Sequence, residues 1–251
     1  AYAYSICSTR GYEKEDIRWL SAFDAEQDAD GDLVNDVFGS ATRQNLREAI
    51  LDWAGSDLIS SGRRLLIYMI DHGFALPRAT GGKEVYFRLN ENEALSSLEL
   101  DSWLDSLTGE STQIDVTLVI DSCYSGIFVQ NCLPPPGGKR LVISSTSSDT
   151  EAVIMPPPDL TSFSYVFWGA AFMGAKMEEA VRAATGFFQE FSISGQRPQM
   201  DDNGDGVFGK DDGFAMGRNR FGRGWGYAGQ GSGEFPVFEE IHPSEDTLLT
   251  V

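Results

Sequence analysis

Leu65 to Ile70 is an unbroken apolar run that stops at Asp71-His72-Gly73. A run this short and uniform suits a strand buried on both faces and ending in a loop. The pattern recurs twice. Ile114 to Ile120 ends in Asp121-Ser-Cys123-Tyr-Ser-Gly126, and Arg140 to Ser144 ends in a Ser/Thr/Asp loop. Between these runs, apolar residues return at helical spacing. Leu46, Ile50 and Trp53 share one face of a helix over 42–53, capped by Thr42. Leu100, Trp103, Leu104 and Leu107 share a face of another over 98–107, and residues 163–173 and 178–188 predict two more. Residues 1–20 read as a helix broken at Gly11, then a second short helical stretch toward Trp19 and Leu20. Strands alternating with helices predict an α/β domain around a mainly parallel sheet. Chemistry in such sheets collects at the carboxyl ends of the strands, where His72 and Cys123 both stand.

The organisation predicted is one domain over 1–233 and a polar tail or linker over 234–251. In the tail, Pro236 interrupts the apolar patch of Phe235, Val237 and Phe238, which disfavours a central strand there. The Gly-rich stretch 213–233, with Arg218, Arg220 and Arg223, reads as an irregular surface linker rather than a lid.

Charge narrows the range of partners. With 38 Asp and Glu against 19 Lys and Arg, the net charge is -19. Such a surface repels nucleic-acid phosphates and anionic membranes, so no nucleic-acid partner is expected. No run approaches the ~20 apolar residues of a membrane span. The odd set Cys7, Cys123 and Cys132 is not a disulfide scaffold; Cys7 and Cys132 either pair or are both buried thiols.

A thiol becomes a nucleophile when an imidazole helps to generate its thiolate. The chain has two histidines. His242 lies in the polar tail, whereas His72 ends a buried strand, so His72 is the candidate acid/base for Cys123. Gly73 and Gly126 leave room beside them for a peptide backbone. The Asp71-His72-Gly73 motif resembles the His-Gly motif of clan CD cysteine peptidases, and Asp121-Ser-Cys123-Tyr-Ser-Gly126 resembles their Asp-x-Cys-x-x-Gly motif. The two key residues are 51 positions apart, close to the ~50 of caspases. The chain is most similar to the bacterial branch of the legumain-like family, and more distantly to caspases and metacaspases.

The resemblance implies a caspase-like three-layer α/β/α sandwich and a cysteine endopeptidase made as a zymogen. His72 would be the acid/base and Cys123 the nucleophile, with Gly73 beside them. Asp121, Ser144, Ser145 and Asp149 would form the substrate pocket, whose two carboxylates favour a basic P1 side chain. The family's opening strand, central in its sheet, is missing from the start of this chain.

Two Asp/Gly loops suggest a second chemistry. Asp28, Asp30, Asp32 and Asp36 fall at positions 1, 3, 5 and 9 of a calcium-type loop. Asp201, Asn203, Asp205 and Asp212 fall at positions 1, 3, 5 and 12 of a second, with Gly206 at the turn position 6. Calcium takes oxygens spaced in this way, so a structural calcium ion is expected, along with an extracytoplasmic location. The alternative functions are a catalytically inactive calcium-binding module on the same fold, or an Asn-specific peptidase or transpeptidase.

Overall fold

The computed structural model describes residues 1–23, 26–55, 64–79, 81–107, 114–154, 161–191, 195–222, 225–227, 238–240 and 246–250. Its frame is a seven-stranded sheet of β1 (Ile17–Ser21), β2 (Val37–Ser40), β3 (Arg64–Ile70), β7 (Val116–Asp121), β8 (Arg140–Ser144), β9 (Gln199–Asp201) and β12 (Asp246–Thr250). The spatial order is β2-β1-β12-β3-β7-β8-β9. All neighbours are parallel except β9, which runs antiparallel to β8.

Side-chain alternation along β3 divides the core in two. Leu65, Ile67 and Met69 enter one hydrophobic cluster, and Leu66 and Tyr68 enter the other. Helix α2 (Arg43–Glu48), its π-helical continuation Ala49–Ala54, α3 (Ser97–Leu107) and α4 (Gly126–Asn131) cover the first face. Helices α1 (Tyr2–Thr9), α5 (Phe163–Phe172) and α6 (Met177–Glu190) cover the second. Thr42 caps α2 as its sequence predicts, its hydroxyl accepting from the Asn45 N–H at 3.1 Å.

The molecule is therefore a mixed α/β protein, but its strands do not form one continuous sheet. β4 (Gly73–Pro77), β5 (Lys83–Arg88) and β6 (Ala94–Ser96) make a separate antiparallel sheet, and β10 (Trp225–Tyr227) pairs with β11 (Phe238–Glu240) in a third. Three sequence expectations are corrected here. Ile17–Ser21 is a strand, not helix, because the β-branched and aromatic side chains of Ile17 and Trp19 are buried beside paired neighbours on both edges. The segment after Phe214 is no surface linker as far as Gly222. Phe221 is fully buried, stacks on Tyr12 at 5.1 Å and meets Trp168 edge-on at 4.9 Å. The Arg10 guanidinium donates to its carbonyl. Last, β12, from the stretch expected to be a tail, sits between β1 and β3, in the middle of the sheet where the resemblance places an opening strand. Arg223 and His242 lie outside the described residues.

Candidate functional site

His72 and Cys123 follow adjacent strands, for Ile70 pairs with Asp121. The main chains then touch. A Cβ built on Gly73 would lie 2.2 Å from the Cys123 carbonyl oxygen, so only glycine lets β4 leave along that path. Tyr124 takes a φ of 60° to complete the turn. The side chains do not pair. Among the described residues, the Cys123 thiol donates to the Ala152 carbonyl at 3.9 Å, and no hydrogen bond or ion pair joins it to the His72 imidazole. The polar contacts of His72 are made by its backbone: its N–H donates to Asp71, and its carbonyl accepts from the Arg88 N–H.

A cavity of about 410 Å³ opens nearby, lined by Trp19, Ile70, Asp71, Arg88 and Tyr165, and neither His72 nor Cys123 lines it. A general base must reach the proton it removes. The cysteine-peptidase assignment is thereby corrected, and with it the thiol-protease, legumain-like and caspase-like activity that the motifs imply.

The expected specificity pocket is spent internally. Asp121 is buried, and its Oδ2 accepts from the Ser164 N–H at 3.1 Å and from the Ser164 hydroxyl at 2.5 Å. Burial pushes its carboxyl above the usual range, against the pull of the Ser164 and Ser145 hydrogen bonds. Ser144 donates to the Thr146 carbonyl, and Ser145 lies within hydrogen-bond distance of the Ser125 hydroxyl. Asp149 accepts from Ser147 and Thr150 in its own turn, and these bonds hold its carboxyl low. No contact joins Asp149 to Asp121 among the described residues. The three cysteines are free, and burial raises the Cys7 and Cys132 thiols.

The first acidic loop does converge. Carboxylate oxygens of Asp28, Asp30 and Asp36 lie within 4.8 Å of one another. Asp28 and Asp30 are exposed, and Asp36 is buried against α1. The Tyr4 hydroxyl donates to Asp36 Oδ1 at 2.8 Å, and the Ala29 N–H donates to Oδ2 at 2.7 Å. The Ser5 hydroxyl ties the Ala29 carbonyl down at 2.8 Å. Burial pushes the Asp36 carboxyl up, but hydrogen bonds from Lys14, Ala29 and Tyr4 outweigh it, and the group sits below the usual range. Three hard oxygen donors, with no sulfur or imidazole, suit a divalent cation.

The second loop folds in the same way, residue for residue. Asp28 accepts the N–H groups of Gly31 and Leu33, and Asp201 those of Gly204 and Gly206. Asp30 accepts from Asp32, and Asn203 from Asp205. Asp32 accepts from Val34, and Asp205 from Val207. Asp212 closes this loop, accepting from Gly209 at 2.6 Å, and burial raises its carboxyl. Its carboxylates do not converge as those of Asp28, Asp30 and Asp36 do. Asp32 also stays outside the first group.

Leu33 carries a consequence. It takes a φ of 68° where the second loop has Gly206 at 74°. The residue is 93% exposed and gains no packing for that strain. Leu33→Gly is expected to raise the unfolding free energy by about 1 kcal/mol, measured as a higher urea midpoint at unchanged slope. An unchanged or lower midpoint would count against strain at this position.

No family model matches the chain, and no curated protein matches it. Among solved structures, the crystal structure of protein GSU0716 from Geobacter sulfurreducens is similar at 13% identity and a TM-score of 0.46. The match covers 73% of this chain and 81% of that one. No helix among the described residues is long and apolar enough to cross a membrane.

The sequence spacing found the acidic loop but not what holds it. Tyr4 and Lys14 come from outside the motif, and only tertiary folding brings them to Asp36.

Proposed function

We propose that this chain is a divalent-cation-binding module, with calcium as the ion, carried on a mixed α/β scaffold. The observation that carries the reading is the convergence of Asp28, Asp30 and Asp36 at a loop with calcium-type spacing. The oxygen-only donor set excludes a preference for soft metals. Magnesium demands compact octahedral geometry, whereas calcium accepts the wider, more flexible arrangement that an exposed loop offers. Asp32 stands beside this group, whereas the second loop, with Asp201, Asn203, Asp205 and Asp212, runs on from β9 at the far edge of the sheet and is no part of the site. The role is structural: an ion would pin residues 28–36 to α1 and to the start of β2. Exposed sites with few fixed carboxylates bind calcium at the weak end of the known range, around 10⁻⁴–10⁻³ M. Such a site fills where calcium is abundant, which favours an extracytoplasmic setting.

Calorimetric titration of the full chain tests this. Calcium is expected to bind, magnesium to bind more weakly, and Asp30→Asn to remove the tighter binding event. Asp30 is exposed, so its replacement leaves the core untouched. Equal heats from wild type and Asp30→Asn would refute the site.

A further inference from the structure

The acidic cluster already holds a positive charge. Lys14, from the 3-10 turn Lys14–Asp16, places its Nζ 2.7 Å from Asp36 Oδ1 and 3.8 Å from Asp32 Oδ2. That nitrogen is shut off from solvent, and the Asp36 side chain has no exposed surface. Asp36 is thus both the buried member of the Asp28-Asp30-Asp36 group and the carboxylate that the ammonium occupies. The Lys14 side chain as a whole is 34% exposed, so its flexible stem has a route outward. A divalent ion at the cluster would sit within a few ångströms of this ammonium, where like charges repel strongly.

We propose that Lys14 is a tethered competitor for the cation: it neutralises Asp36 when no ion is bound, and it must leave Asp36 when a divalent ion enters. The inference rests on reading the loop as a cation site, and it assigns that site a regulator. A loop with acids at 28, 30, 32 and 36 would repel itself if nothing balanced it. Lys14 lets it keep its shape without an ion, at the cost of weaker ion binding. The exchange also gives the site an output. The turn that carries Lys14 runs directly into β1 at Ile17, and Ile17 pairs with Leu248 of β12. Release of Lys14 therefore acts at the leading end of β1, which pairs there with the middle of β12. A simple salt bridge that merely fastened the turn to the loop would make the opposite prediction: its loss would loosen the ligands and weaken the binding of the ion.

The test is calcium titration of the full chain as wild type, Lys14→Met, Lys14→Gln and Asp30→Asn, with melting curves in chelator. Both Lys14 variants are expected to tighten the Asp30-dependent binding roughly tenfold. Both are also expected to melt lower than wild type in chelator, because Asp36 is left buried without its counter-ion. The methionine variant keeps most of the stem's apolar length and the glutamine variant keeps a hydrogen-bond donor on a shorter stem, while both lose the charge, so agreement between the two separates charge from packing. Unchanged or weakened binding in both variants, beside intact wild-type binding, overturns the competitor role and leaves the cation site standing. Absence of Asp30-dependent binding in wild type and in both Lys14 variants overturns the competitor and the site together.

Discussion

Leu248→Pro is expected to abolish the cooperative fold, or to cost about 3 kcal/mol or more of unfolding free energy. β12 is a central strand. It pairs with β1 through three residues and with β3 through five, and Leu248 has a partner on each side, Ile17 and Leu66. Proline removes a ladder donor and cannot fit a strand flanked on both edges. Without β12 the sheet falls into two pieces, β2-β1 and β3-β7-β8-β9. Each then exposes an edge of backbone groups that lack partners. Urea unfolding followed by far-ultraviolet circular dichroism measures the loss. Leu248→Val keeps the backbone N–H and the strand propensity, so it should keep the cooperative transition that Leu248→Pro loses. A Leu248→Pro chain with the wild-type midpoint would show that β12 is not part of the sheet.

Arg140→Ala is expected to destabilise the chain by about 2–3 kcal/mol at neutral pH. The guanidinium, whose side chain is 1% exposed, donates to Asp101 at 2.8 Å, to Asp105 at 2.9 Å and to the Leu133 carbonyl at 2.9 Å. It thereby joins the start of β8 to α3 and to the chain after α4. Without it, Asp101 and Asp105, one turn apart on α3, face each other with no cation between them. Asp105 is 44% exposed and keeps its water, which holds the cost below that of a fully buried pair.

The loss should depend on pH. Burial and then repulsion from Asp105 raise the Asp101 carboxyl above its ordinary 3.8, while Arg140 pulls it back. A raised carboxyl means that the folded chain holds the proton more tightly than the unfolded chain. The penalty is therefore absent below about 3.8 and complete above the folded value. Removing Arg140 raises that value further. The gap between wild type and variant should thus be widest at neutral pH and shrink in acid. A gap that stayed constant down to pH 4 would place the effect in packing rather than charge.

Local pattern carried much of the frame. The apolar runs at β3, β7 and β8 are continuous because both faces of these strands are covered, and their ends were legible to within two residues. The cap at Thr42 and the helices over 97–107, 163–172 and 177–190 follow from spacing within one segment. The failures lie where distant segments decide. Ile17-Arg-Trp-Leu-Ser21 has no period of its own, and pairing with β12 and β2 makes it a strand. The Asp246–Thr250 segment reads as part of a polar tail, yet the slot between β1 and β3 makes it the centre of the sheet. The separate β4-β5-β6 sheet went unread, although the Gly81-Gly82 turn before Lys83 signals a hairpin.

The site shows the same division. Carboxylates alternating along a nine-residue loop fix their own geometry, because each Asx hydrogen bond reaches only two to five residues ahead. The loop was legible for that reason. The distance between an imidazole and a thiol on neighbouring strands is set by side-chain direction and by the contact of Gly73 with the Cys123 peptide. Motif spacing brought their backbones together and said nothing about whether their side chains meet.

Thermal melting of the full chain with calcium and with chelator tests the central claim most directly. At calcium a hundredfold above its dissociation constant, binding adds about 2.7 kcal/mol, or a rise of ~5–10 °C for a chain of this size. Asp30→Asn should remove most of that rise while melting near wild type in chelator. Identical wild-type melting temperatures with calcium and with chelator would contradict the account.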